Sequence, residues 1–145
     1  MSPPAAAGLL YLLDTNIVSD LAKHPDGPAA QRAAAALARA GDGATLAISA
    51  VVQCELLYGL AKRPAARVQQ AVEAQLELLE VLPLDAAVAP HYAALRARLE
   101  ALGTPIGPND GLIAAHALSL GATLVSGDAE FARVPGLVLE NWLRP

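Results

Sequence analysis

The chain has 145 residues, of which 54% are hydrophobic and only 3% aromatic, and its formal net charge is −4. That length suits a single domain that buries a real core, and the alanine-rich apolar fraction argues against disorder and for an aliphatic interior between closely approaching helices. The acidic balance does not suit bulk binding of nucleic acid through a basic surface, so a polyanionic substrate would need local Lys/Arg or a bound metal. No segment reads as a membrane span, since the charge-free stretch 111–127 contains His116, Ser119 and internal turn formers. Residues 1–8 lack the basic start of a secretory signal and read as a short disordered lead-in to one domain over 9–145. A lone cysteine, Cys54, forbids an intramolecular disulfide and fits the reducing cytoplasm. Its apolar neighbours and the absence of a nearby cation predict a buried, inert thiol.

Leu9 to Leu13 is a continuous apolar run that stops at Asp14, which fits a strand covered on both faces of a parallel sheet. Asp14 therefore stands at the carboxyl end of a strand, where open α/β sheets bind ligands, and it is equally able to cap the helix that carries Ile17, Val18 and Leu21. The turn formers of 24–27 end that helix, Pro28 starts an alanine-rich one over 29–40, and Gly41 closes it. Ala44 to Ile48 reads as a second strand and Ser49 as the cap of a helix from Ala50.

In that helix Glu55 shares a face with Val51, Val52 and Gly59 and so points inward, or else lies at the rim and reaches water. An inward carboxylate needs a cation, a metal or a proton. Lys62, Arg63 and Arg67 make a small basic cluster at the junction with a helix over 65–80, a solvated turn by default and the best phosphate contact in the sequence. Val81 to Leu84 is an edge strand because of Pro83, and Asp85 reads as the cap of a helix over 86–102, with Tyr92, Leu95 and Leu99 as its apolar stripe. Asn109 is placed to cap the next helix, with Asp110 in its first turn and aimed at the packed side, and with His116 off that face and given no role. Gly121 ends this helix, 123–125 is a fourth strand, Ser126-Gly127-Asp128 is its carboxyl-end turn, and 136–139 is a last edge strand.

Strands alternating with helices predict a three-layer α/β/α domain around a mainly parallel sheet. On it Asp14, Glu55, Asp110 and Asp128 converge near the strand carboxyl ends. Such a group repels itself unless a hard divalent cation sits among its oxygens, and without a Cys/His cluster or an EF-hand loop Mg²⁺ or Mn²⁺ fits best.

Four segments in order, Leu-Leu-Asp-Thr-Asn at 12–16, Ser-Ala-Val-Val-Gln-Cys-Glu-Leu-Leu-Tyr-Gly at 49–59, Pro-Asn-Asp-Gly-Leu-Ile-Ala-Ala-His-Ala-Leu at 108–118 and Leu-Val-Ser-Gly-Asp-Ala-Glu-Phe at 124–131, resemble the successive signatures of PIN domains. More narrowly they resemble the VapC toxins of bacterial VapBC toxin-antitoxin pairs, and the resemblance runs from about residue 10 to 143. It implies a PIN fold and a metal-dependent ribonuclease with acidic positions at Asp14, Glu55, Asp110 and Asp128, supported by Asn16 and Ser126. It implies hydrolysis of RNA phosphodiesters with one or two Mg²⁺ ions, a homodimer, and a VapB-type antitoxin that occludes the site, while the basic cluster of Lys62, Arg63 and Arg67 is the sequence's own candidate for substrate contacts. The last motif departs from many members, which carry an extra residue and an Asn with the acid nearer the Phe. Here Asp128 and Glu130 are both available, and the expectation falls on Asp128 with Glu130 as alternate.

A haloacid-dehalogenase type phosphotransferase would need a second Asp where Asn16 stands, and a response-regulator receiver would need a late lysine where the last is Lys62. A catalytically silent PIN-fold module that binds RNA or protein is the remaining alternative.

Overall fold

The computed structural model describes residues 9–40 and 43–144. The elements run β1 (Leu9–Leu13), α1 (Thr15–Lys23), α2 (Pro28–Ala40), β2 (Ala44–Ser49), α3 (Ala50–Lys62), α4 (Ala66–Leu78), β3 (Glu80–Leu82), α5 (Val88–Ala101), α6 (Pro108–Leu120), β4 (Thr123–Val125), a 3-10 turn (Ala129–Arg133) and β5 (Val138–Glu140). The lead-in expected at 1–8 and the helix stop expected at Gly41 lie outside the described residues.

The strands form one five-stranded sheet in the order β3-β2-β1-β4-β5, with every pairing parallel. Tyr11, Leu12 and Leu13 are all buried although successive side chains point to opposite faces, so helices cover both sides of β1. This is the expected α/β/α arrangement, and the short strands of 80–82 and 138–140 occupy the edges as anticipated. The chain moves outward from β1 through β2 to β3, then returns to place β4 on the other side of β1. Between β1 and β4 the strand order reverses, and the carboxyl ends there flank the crevice in which such sheets bind ligands. The backbone continues the pairing past both ends: Asp14 N–H donates to the Val125 carbonyl at 2.9 Å and Ser126 N–H to the Glu140 carbonyl at 2.9 Å.

The core is aliphatic, with Ile17, Val18, Ile48, Val52, Leu99, Ile113, Leu124 and Val125 fully enclosed. Two of the few aromatics meet at one seam: Trp142 is buried, its ring centroid is 5.3 Å from that of Tyr11, and its indole N–H donates to Glu140 at 2.9 Å.

Three local expectations are corrected. Cys54 is exposed, because the buried positions of α3 are Val52 and Leu56 and residue 54 lies midway between them on the opposite side of the helix. Asn109 does not cap α6, because Gly107 takes the cap position and Pro108 occupies the first turn, where its missing N–H costs nothing. His116 is buried rather than off the packed face, since α6 is enclosed on several sides, with 113–117 all buried. Its Nδ1 lies 2.8 Å from the Ser49 hydroxyl, which also accepts the Val51 N–H at the start of α3, as the cap reading expected. Burial lowers the His116 pKa, with the Asp85 charge opposing the shift, so the neutral ring is favoured.

Candidate active site

Asp14 ends β1 and is 5% exposed, so its charge needs immediate hydrogen bonds. One carboxylate oxygen accepts the Thr15 N–H at 2.8 Å, which caps α1, and the other accepts the Ser126 hydroxyl at 2.7 Å. The cap reading of Asp14 is thus realised by one oxygen, while the other faces Ser126 across the strand ends. The Ser126 oxygen in turn accepts the Asp128 N–H at 3.0 Å, and Asn16 bridges the same crevice by accepting the Gly127 N–H at 3.1 Å while its amide lies 3.4 Å from both Ser126 and Asp14. Adjacent strand ends, β1 and β4, are thus stitched together by side chains from Asp-Thr-Asn and Ser-Gly-Asp.

Glu55 approaches from the second turn of α3. It is half-buried, and its carboxylate accepts the Thr15 hydroxyl at 2.6 Å. A β-branched hydroxyl beside a cap carries no signal in one dimension that it will meet residue 55. Asp110 enters from the first turn of α6. Asp128 caps the 3-10 turn by accepting the Glu130 N–H at 2.9 Å, which sets Glu130 beside it.

Oxygens of Asp110, Asp128 and Glu130 all lie within 4.8 Å of one another. Asp128 and Glu130, treated as alternatives in the sequence, are brought to the same place. The electrostatics show how uncompensated the group is. Burial, and then the charges of Asp14, Asp128, Glu55 and Glu130, push the Asp110 pKa up to about 6. Burial also raises Asp14, against the lowering effect of its bonds from Ser126 and Thr15, with Glu55 and Asp128 adding to the rise. A ring of hard oxygen donors in which Asp110 is raised in this way fits a small divalent cation, and among the described residues no Cys or His joins the Asp110, Asp128 and Glu130 group.

The PIN domain family model matches residues 11–137 of the chain. The chain belongs to the PIN-domain family. Within it the similarity is to VapC proteins: the ribonuclease VapC2 of Rickettsia felis is 41% identical over 137 residues, spanning 92% of this chain and 98% of that protein. The tRNA(fMet)-specific endonuclease VapC of Salmonella typhimurium is 41% identical over 99 residues, 67% of this chain and 75% of its own length. The crystal structure of VapBC2 from Rickettsia felis, bound to a DNA fragment from the promoter, superposes with a TM-score of 0.82 at 38% identity, covering 92% of this chain and 99% of that one.

On this PIN fold the acidic residues singled out in the sequence, Asp14, Glu55, Asp110 and Asp128, together with Asn16, Ser126 and Glu130, gather at one crevice. Lys62, Arg63 and Arg67 do not join it by any hydrogen bond or ion pair among the described residues; they are exposed at the α3–α4 junction, with the Lys62 ammonium 5.8 Å from the Tyr58 ring centroid. Among the described residues no helix is long and apolar enough to cross a membrane.

Proposed function

We propose that this protein is a metal-dependent endoribonuclease toxin of the VapC kind, hydrolysing RNA phosphodiester bonds in the cytoplasm and neutralised by a VapB-type antitoxin. The observation that carries the reading is the convergence of Asp110, Asp128 and Glu130 oxygens within 4.8 Å, with the Asp110 carboxyl raised to about 6 by its neighbours. Asp110, Asp128 and Glu130 would hold Mg²⁺ or Mn²⁺, with Asp14 and Glu55 completing the acidic wall. Bound there, the ion supplies an activated water and stabilises negative charge on the phosphate and the leaving oxygen. The chain's own part is orientation: Ser126 and Thr15 N–H hold Asp14, the Thr15 hydroxyl holds Glu55, and Asn16 ties the β1 and β4 ends so that the acids keep their spacing. Lys62, Arg63 and Arg67 belong to the proposal as more distant contacts for the RNA strand.

The solved VapBC assemblies support an antitoxin partner, a homodimer of the toxin belongs to the same proposal, and the name of the Salmonella relative makes folded tRNA the first substrate to try. The test is cleavage of a panel of folded tRNA and ribosomal RNA fragments by antitoxin-free protein, with Mg²⁺ or Mn²⁺ and with chelator, beside Asp110→Asn. Defined products that require metal and vanish in the variant are expected. Metal-bound, folded protein that cuts no RNA would remove the nuclease reading and leave a silent binding module.

A further inference from the structure

The three basic residues picked from the sequence stand well away from the acids: Lys62 is seven residues beyond Glu55, about 10 Å along α3. Another cation is much nearer. Arg133 closes the 3-10 turn that carries Glu130, and its Nη1 donates to the Pro105 carbonyl at 3.0 Å and lies 3.4 Å from the Glu130 carboxylate. Among the described residues the ion pairs are Arg96–Glu100 and Arg133–Glu130, and only the second touches the carboxylate ring.

The pair is not explained by stability. Its side chains are 44% and 42% exposed, and pairs so open to water contribute little to folding. The Pro105 carbonyl instead fixes the direction of the guanidinium, because one nitrogen is tethered to the loop that leads into α6. The Nε and Nη2 groups make no hydrogen bond among the described residues, which leaves the other edge of this 44% exposed guanidinium available beside the ring. A strand of RNA brings one negative charge per phosphate toward five carboxylates, and a cation that offsets this must stand at the rim, beside Glu130, without taking the metal's place. A tethered arginine fork meets that need, since it matches phosphate geometry and cannot lose its charge.

We propose that Arg133 binds a phosphate of the RNA strand flanking the one that is cut. This rests on the nuclease reading. The experiment therefore begins with the wild-type protein cutting folded tRNA in Mn²⁺ and not in chelator. Binding is then read without turnover, in Asp110→Asn protein with Mg²⁺, by anisotropy of a labelled tRNA fragment across a range of salt. Into that background go Arg133→Gln, which keeps a donor for the Pro105 carbonyl but no charge, Arg133→Lys, which keeps the charge, and Arg133→Ala. Gln and Ala are both expected to weaken binding roughly 10-fold and to flatten the log-affinity against log-salt slope by about 0.7, while Lys keeps the slope. In the active enzyme Arg133→Gln raises KM more than it lowers kcat. Equal affinity and slope for Gln and Arg, with or without impairment in Ala, would overturn the proposal, the impaired Ala case assigning Arg133 to loop positioning. If wild type cuts RNA and the variants bind like it, the arginine reading alone falls; if wild type cuts nothing, both readings fall.

Discussion

Burial and four like-charged neighbours raise the Asp110 carboxyl from 3.8 to about 6. Because its folded value lies above its unfolded one, this group favours the metal-free fold fully below about pH 3.8, and that contribution is lost as the pH rises through 6. Asp110→Asn removes the penalty. Discounted for its partial exposure, the variant is expected to be more stable than metal-free wild type by about 1 kcal/mol at pH 7.5 and to show no gain near pH 4, as chemical denaturation at the two pH values will report. A variant no more stable than wild type at pH 7.5 would mean that the acids do not strain one another. Thr15→Val tests a different atom, since it deletes the hydroxyl that holds Glu55 and preserves the side chain's shape. Loss of such a supporting bond typically lowers metal affinity by about 10–100-fold, and calorimetric titration with Mn²⁺ should show it while the fold persists. The acids were legible because each stands just after a strand or early in a helix. Thr15 and Arg133 were not, because their importance lies in partners 40 residues away and 28 residues away respectively.

Among the elements, the β4 exit and the α3 start bear the tightest constraints. A Cβ on Gly127 would run into the Leu143 side chain, and the same residue's N–H donates to Asn16. The atom met is the methyl end of the partly exposed Leu143 side chain, which can swing aside, so Gly127→Ala is expected to cost under about 1 kcal/mol, seen as a slightly lowered denaturant midpoint with unchanged slope. Ser49→Ala removes both the α3 cap and the partner of His116, for a loss of about 1–3 kcal/mol in the same measurement; an unchanged midpoint would show that water replaces the hydroxyl. Element positions followed from the sequence closely, since Ser49 caps, Gly121 adopts the left-handed conformation at φ 63° that ends α6, and Pro83 follows the edge strand it was expected to mark. The errors over His116 and Cys54 share one cause, while Asn109 lost the cap to Gly107 because Pro108 starts the helix. Periodicity names a single buried face, so it misplaced His116 in a helix packed on several sides and gave Cys54 no face at all.

For the whole molecule, the proposed metal site in the acidic crevice predicts that stability depends on divalent ions. A ligand that binds only the folded state stabilises it by about 2.7 kcal/mol at 100 times its Kd, so Mn²⁺ should raise the thermal midpoint at pH 7.5 and chelator should reverse the change. Near pH 5.5, protons compete for Asp110 and the same Mn²⁺ should give a smaller shift. A shift of equal size at both pH values would place the ion away from this carboxylate. By itself, the sequence determined which elements hold the candidate acids, because buried strands, caps and turns are governed by neighbours a few positions apart. Only the tertiary structure decided that β4 lies beside β1, that Glu130 joins Asp128 instead of replacing it, and that Arg133 rather than the α3–α4 basic cluster reaches the ring. Those facts depend on the order in which parallel strands pair, and that order is set by packing between segments far apart in the chain.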